Sequence, residues 1–426
     1  MADIISGKSR FTGNHNRDAE DNKVISFGEN GKMNDADDLK EDLDEKDIKN
    51  KIRIHKVKMV IKAAIALVVI VLLAKVLLKV LDGITYSQYV VTGSVNRDDS
   101  ETAKYMSYAN GYIRYSNDGV AYFNKKGTAI WNHTISMQNP QIKKCGDAVA
   151  VGDINGSTIC VFDKSGLLGT VDTSLAISQI EVAKHGVVAA VLEDNDANYI
   201  NLYNVDGTQI YSVKTSLAGD GYPLDITISE DATKLMASFL YVSGETMKTN
   251  VVFYNFSDVG QNETERVVGG FNHYGSTIVG DVQFMNATTA VAVGEDIISI
   301  FSIKEYPKLV KEIPIESTIQ RVFFSNSNVG LILDNSDSGD IYKLVIYNLS
   351  ADKVGEATFN TQYNHIEFDG NSVLMSNSSN FALLNLSGKM LADIKTDLSL
   401  VQILPIGDRG KYILINSRYV QNIKLK

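Results

Sequence analysis

The chain has 426 residues, a formal net charge of −10, 44% hydrophobic and 22% charged residues, and only 5 Pro, 2 Cys and 1 Trp. Two cysteines exclude a disulfide-stapled scaffold or a four-thiolate metal site, and few prolines with ordinary hydrophobicity exclude a collagen-like or wholly disordered chain. The acidic balance excludes the basic face that a nucleic-acid binder needs.

Residues 1–57 carry 11 Lys+Arg and 13 Asp+Glu, with an acidic run over 35–47 followed by Lys49, Lys51, Arg53, Lys56 and Lys58. Little apolar side chain is available there to offset chain entropy, which predicts a disordered tail over 1–56, with a transient charged helix over 35–54. Residues 57–81 (VKMVIKAAIALVVIVLLAKVLLKVL) are uncharged from 63 to 74 and carry lysines only near the ends. Twenty-five such residues span a bilayer, because lysine stems lie along hydrocarbon while their ammonium groups reach the interface. The missing polar stripe argues against a buried soluble helix, and an approach of more than 50 residues argues against a cleaved signal peptide. The basic flank lies on the N-terminal side, so the positive-inside rule places the tail in the cytoplasm and residues 82–426 outside. That outer part holds 26 Lys+Arg against 38 Asp+Glu.

Beyond residue 85 the pattern switches to period two, with short β-branched and aromatic runs between Asn, Asp, Gly and Ser turns. A unit recurs in which a strand ends in an aromatic or aliphatic anchor followed by Asn or Asp and a turn. Examples are Phe123-Asn124-Lys125-Lys126-Gly127, Phe162-Asp163-Lys164-Ser165-Gly166 and Leu384-Asn385-Leu386-Ser387-Gly388. The anchors Phe123, Phe162, Tyr203, Tyr254, Phe301, Tyr347 and Leu384 are spaced by 39, 41, 51, 47, 46 and 37 residues. That is the spacing of four-stranded propeller blades. In the third unit the strands A to D are expected near 177–183, 187–192, 199–205 and 208–213. An eighth unit after Leu400 has only three strands, and residues 88–95 (QYVVTGSV) form a strand that belongs to no unit. These residues are expected to supply the missing outer strand and close an eight-bladed all-β ring over 88–426, after a short linker at 82–87. A seven-bladed ring is the runner-up.

The aromatic-Asn/Asp-x-x-Gly turn, the unit length and the split last blade resemble the quinoprotein-type (PQQ-like) and WD40-like eight-bladed propellers. They are similar in particular to single-pass membrane-anchored propellers of Gram-positive anaerobes. The resemblance implies a fold, and through that fold a binding module. Quinoprotein dehydrogenases carry a Trp in most blades and a vicinal cysteine pair, whereas here Trp131 stands alone and Cys145 and Cys160 are 15 apart. No quinone or other cofactor is expected.

An outer strand begins on the face bearing the A–B and C–D turns and ends on the face bearing the B–C and D–A loops. The linker reaches about 20 Å when extended, so the first face is expected against the membrane and the second outward. Acidic residues gather in the inferred B–C loops: Asp118, Asp153, Glu193, Asp194, Asp196, Glu245, Glu295, Asp296, Asp334, Asp337 and Asp340. They suggest a docking face for a basic protein, an envelope glycan or divalent cations. Asp194-x-Asp196-x-Asn198 and Asp153-x-Asn155-Gly156 resemble the opening of a calcium loop. The position eleven after Asp194 is Val205, where an EF-hand needs a bidentate Glu. Asp and Asn are equally good turn residues, and that is the plainer reading of both.

The six histidines are scattered, and no HExxH, GxSxG, Walker or GxGxxG pattern stands in a matching context. Cys145 near an A–B turn and Cys160 in strand C of the same blade lie two strands apart, beyond disulfide reach, so free thiols are expected. The reading is a single-pass membrane protein whose extracytoplasmic propeller is a non-enzymatic scaffold at the cell envelope. One rival is an enzyme acting on an envelope polysaccharide or lipid, which converging carboxylates or His in the central channel would favour. Another is a sensor with a cytoplasmic docking tail.

Overall fold

The computed structural model describes residues 35–81, 83–100 and 102–426, in two compact units that divide between Val76 and Leu77. The first is helical. A continuous helix, α1, runs Asp35–Leu81 and takes in the charged stretch over 35–54 where a transient helix is expected; residues 1–34 lie outside the described residues. Asp and Glu lead this helix and Lys and Arg follow, the order that the helix dipole and i,i+4 pairing both favour. Within it, Ile52–Ala74 is long and apolar enough to cross a membrane, and none of it is buried.

The second unit is a ring of eight four-stranded antiparallel sheets. Blades 1 to 7 occupy residues 104–134, 140–172, 176–216, 222–271, 279–314, 319–359 and 365–395, each in the order A-B-C-D. Blade 8 takes strands A to C from Leu400–Pro405, Lys411–Asn416 and Tyr419–Leu425, and its strand D is Tyr89–Asn96. The split last blade is thus observed, and the ring has eight blades. The closing register runs from Tyr89↔Leu425 to Asn96↔Tyr419, with a bulge between Val91 and Gly93. In blade 3 the strands are Ala176–Val182, Val188–Glu193, Ala197–Tyr203 and Gln209–Ser216, within one to three residues of expectation at each boundary.

Burial follows directly from the stacking of blades. Strands B and C are apolar on both faces because each blade is sandwiched between two others, as in Ala148–Asp153 (AVAVGD) of blade 2. Eight apolar clusters fill the eight interfaces. Between blades 2 and 3, for example, Ile159, Val161, Ile177, Ile180, Val188 and Leu192 are at most 1% exposed. Ala103, Tyr105, Leu404 and Ile413 do the same between blades 8 and 1, so the ring is self-contained within residues 83–426.

The repeated turn has a specific job. Asn124 Oδ1 accepts the N–H groups of Lys126 (2.9 Å) and Thr128 (3.1 Å), and Asn348 and Asn385 cap their C–D turns in the same way. Asp163 Oδ1 accepts Ser165 N–H at 2.7 Å. The anchor before it packs between blades: Phe162 stacks on Trp131 of blade 1 at 5.0 Å, and Phe123, stacked on Tyr112 of its own blade at 5.0 Å, lies against the cluster between blades 8 and 1. Cys145 is half-buried and Cys160 fully buried, and both thiols are free. Burial pushes both thiols up, away from the reactive thiolate.

Candidate binding face and central channel

The B–C and D–A connections share one side of the ring, hereafter the loop face; the A–B and C–D turns form the opposite turn face. Among the described residues, the B–C loops hold Asp118, Asp194, Asp196, Glu245, Glu295, Asp296, Asp337 and Asp340, and the D–A loops hold Asp98, Asp99, Asp220, Glu316 and Asp397. Against these thirteen carboxylates stand two arginines, Arg97 and Arg418, and no lysine. Arg97 is itself engaged by Asp99 at 2.5 Å. The loop face is therefore strongly negative.

The predicted face residues divide by what they do there. Asp153 closes strand B of blade 2 and accepts the N–H groups of Gln138 (2.9 Å) and Asn139 (2.7 Å), pinning the neighbouring D–A loop. Glu193 accepts Tyr222 Oη at 2.5 Å, Asp296 accepts Thr277 Oγ1 at 2.8 Å, and Asp334 accepts Ser336 N–H at 3.0 Å. Those turn bonds hold Asp334 below the usual carboxylate range. Asp340 binds the Thr358 hydroxyl and, at 2.7 Å, the Asn360 amide. Asp118, Asp196, Glu295 and Asp337 stand at loop tips. The calcium-like constellation does not assemble: Asp194 Oδ1 accepts Asn195 N–H at 2.8 Å, while Asn198 is 2% exposed with its amide nitrogen unbonded. Asn155 sits at φ 67°, a turn conformation. Among the described residues, no group of three or more His, Cys, Asp or Glu is placed to hold a metal ion.

One element rises from this face. Strands B and C of blade 4 run ten residues each, Lys234–Ser243 and Thr246–Asn255, and pair out to Ser243↔Thr246. At their tip Val242 (71% exposed) and Met247 (60% exposed) face each other across the ladder, an apolar knuckle among carboxylates. A cavity of about 390 Å³ opens beside it between blades 3 and 4, lined by Thr215, Asp220, Tyr241 and Asn250 among others. The 51-residue spacing into this unit is the trace of the long hairpin in the sequence.

The channel is not legible in the sequence. Strands A bring Lys143 and Lys144 (blade 2), Glu181 (blade 3), Asp225 (blade 4), Asp281 (blade 5), Arg321 (blade 6), and His365, Glu367 and Asp369 (blade 7) to the axis. Fields cross the lumen: Lys143 acts on Asp225 and Asp281, and Lys144 on Glu367. Converging carboxylates are thus present. Most of these groups also stitch blades together. Lys143 pairs with Glu181, Lys144 donates to Ser107 O at 2.8 Å, and Ser107 Oγ to Pro405 O at 2.5 Å. Gln179 donates to Pro223 O and Leu224 O, Val282 N–H to Asp225 at 2.8 Å, Arg321 to Asn364 O at 2.6 Å, and Tyr412 Oη to Asp369 at 2.8 Å. The belt is a polar seam around the axis.

Burial pushes Asp225 up to about 7, against the Val282 N–H bond and Lys143 and with help from Glu181 and Asp281. Burial likewise pushes Glu367 up to about 7, against Lys144. Burial alone would neutralise the Lys143–Glu181 pair, but the contact keeps Lys143 protonated, above its ordinary value. Burial, then Arg321, hold His365 below its ordinary value.

A carboxyl whose pKa is higher folded than unfolded favours folding at low pH. That contribution is lost as pH rises from about 4 through about 7. Asp225→Asn keeps an acceptor for Val282 N–H and removes the charge. It is expected to raise stability at about pH 8 by on the order of 1–2 kcal/mol, after discount for water in the channel, and to change little near pH 4. Denaturant midpoints at the two pH values check this; equal midpoints for both proteins at high pH would contradict it.

The profile of a family of unknown function (DUF5711) matches residues 82–425. No curated protein matches. Among solved structures, the ring is similar to BamB from Moraxella catarrhalis (TM-score 0.50, 11% identity, 79% of this chain and 100% of that one). It is also similar to Saccharomyces cerevisiae Sqt1 (0.52, 10%, 81% and 99%). Chaetomium thermophilum Sqt1, bound to the N-terminus of ribosomal protein L10, gives 0.51 and 10% over 79% and 99%. At these identities the likeness is one of fold.

Proposed function

The chain belongs to the DUF5711 family, and we propose that it is a membrane-tethered, non-enzymatic binding propeller of the cell envelope whose loop face docks a basic protein partner. The observation that carries this is the charge asymmetry: thirteen loop carboxylates against two arginines on one rigid face, with the apolar Val242–Met247 knuckle among them. Convergent like charges on fixed loops steer an oppositely charged partner and cost nothing in reorganisation, while an apolar knuckle supplies contact area. Propellers of this architecture do bind protein segments, as the Sqt1 complex with an L10 N-terminus illustrates.

The tether sets which side is free. Ser87 N–H and Gln88 N–H donate to Lys426 O (2.9 and 3.2 Å) and Tyr86 N–H to Leu391 O (2.7 Å), so the chain joins the ring on the turn face. Entry on the turn face leaves the loop face unencumbered by the tether, which supports it as the face that meets a partner. The basic residues before the span support a cytoplasmic N-terminal side.

Affinity capture from solubilised membranes tests the docking face. The full chain is compared with a variant carrying Asp118→Lys, Asp196→Lys, Glu295→Lys and Asp337→Lys, residues at loop tips. The intact protein is expected to retain a basic partner that added salt releases, and the variant to lose it by roughly tenfold or more. Equal recovery by both proteins would refute the docking face. Recovery that resists salt would favour an envelope glycan instead. An enzyme acting on envelope polysaccharide or lipid is the second reading, favoured by Asp225 and Glu367 titrating near 7 across one lumen. It predicts a hydrolytic activity abolished by Glu367→Gln.

A further inference from the structure

One sector of the turn face gathers lysines from four successive blades. The C–D turns of blades 1 and 2 hold Lys125, Lys126 and Lys164, the turn of blade 7 holds Lys389, and blade 8 adds Lys411, Lys424 and Lys426. Lys164 pairs with Asp147, Lys411 with Asp408, and Lys389 donates to Gly83 O; Lys125, Lys126, Lys424 and Lys426 are exposed. Lys125, Lys126, Lys411 and Lys424 line one groove of about 350 Å³ between blades 8 and 1, with Asp408 its only acid.

Aliphatic residues crowd the same rim. Where the outer strands leave the turn face, Val90, Val91, Ile130, Leu167, Leu168 and Met390 are 37–50% exposed. Ile84, in the tether itself, is 41% exposed. Each blade from 7 round to 2 therefore pairs lysines with bare aliphatic groups, and the chain enters the ring in the middle of that arc. What sets this arc apart is that its aliphatic groups flank a lysine-lined groove next to the point where the tether enters, and its charge disfavours a basic partner.

We propose that this sector is a lipid-docking surface: the groove between blades 8 and 1 holds the phosphate of an anionic phospholipid, and the flanking aliphatic residues enter the headgroup–acyl boundary. Lysines beside an anionic bilayer contribute about 1 kcal/mol each, and shallow aliphatic burial adds to them. A single helix would leave the ring free to swivel on a short linker. Docking fixes it with the loop face outward. This inference rests on the membrane-tethered reading but not on the identity of the loop-face partner.

The test uses residues 83–426, which close the ring without the helix, and sedimentation with phosphatidylcholine vesicles with and without phosphatidylglycerol. The ring is expected to bind only the phosphatidylglycerol vesicles and to release them in high salt. Lys125→Glu, Lys126→Glu and Lys424→Glu together are expected to weaken binding about 100-fold. A Leu167→Ser, Leu168→Ser variant, with the charges intact, is expected to weaken it less but measurably. Free inorganic phosphate competing as well as the vesicles do would point to a small-anion site and overturn the lipid assignment. Equal sedimentation with both vesicle types, with neither, or by the triple variant would also overturn it. A variant ring that still captures the loop-face partner while failing on vesicles refutes the docking alone. A full-length chain found in the soluble fraction of cells refutes the tethered reading beneath it.

Discussion

A chain lacking residues 83–96 is expected to lose its single cooperative unfolding transition, or to melt at least about 10 °C lower. Those residues supply the outer strand of blade 8, paired from Tyr89↔Leu425 to Asn96↔Tyr419. Without them the strand Tyr419–Leu425 becomes a bare edge with unpaired backbone groups, a template for association between chains. Tyr86 and Tyr89, which pack on the cluster between blades 7 and 8, go with it. The cost spreads because ring closure links every interface to the next. Trp131 is the single tryptophan and is stacked on Phe162 between blades 1 and 2, so its fluorescence reports the loss at a distance from the cut. A seven-bladed ring with a dispensable eighth sheet would leave that signal and the midpoint unchanged.

The second large effect is expected at Gly388. It sits in the C–D turn of blade 7 at φ +87°, and a Cβ built there falls 1.9 Å from Glu356 O in strand D of blade 6. Across the same seam, a Cβ at Gly355 would lie 2.2 Å from Leu386 O. Backbone meets backbone here, so no side chain can yield. Gly388→Ala is expected to cost about 3 kcal/mol or more, the sum of left-handed strain and an inter-blade clash. Gly207 holds the equivalent turn of blade 3 at φ +83°, but its nearest neighbour is Thr170 O at 3.0 Å. Gly207→Ala should therefore cost closer to 1–2 kcal/mol, roughly the conformational part plus a small shift. Chemical denaturation of the two variants separates these contributions; equal losses would mean that the seam is soft.

The ring was readable because it repeats. An anchor and an Asn or Asp at the end of each strand C recur for a reason now visible: the anchor fills an interface and the polar residue caps the turn. The spare strand was readable because residues 88–95 had a strand's alternation and no unit to join. Two features were not readable. Lys143, Glu181, Asp225 and Glu367 occupy the polar half of ordinary strand alternation, and only closure of the circle turns that half into a lumen. The other is the continuity of α1: charge order predicts a helix over 35–54, but not that it runs unbroken into the apolar span as one element from Asp35 to Leu81. Of the acidic residues assigned to B–C loops, Asp153, Glu193 and Asp334 instead close strands B, and these three with Asp296 and Asp340 are engaged in local bonds, so residue type alone overstated how many are free to bind.

A partner is expected to dock on the loop face. Site-specific photo-cross-linking in intact cells tests it most directly, with the cross-linker placed in the full-length chain at Asp337 and Val242 on the loop face and at Ser327 on the turn face. The same discrete adduct is expected from Asp337 and Val242, absent from Ser327 and lost when the loop-tip carboxylates are replaced by lysines. Adducts from Ser327 with none from the loop face would contradict it.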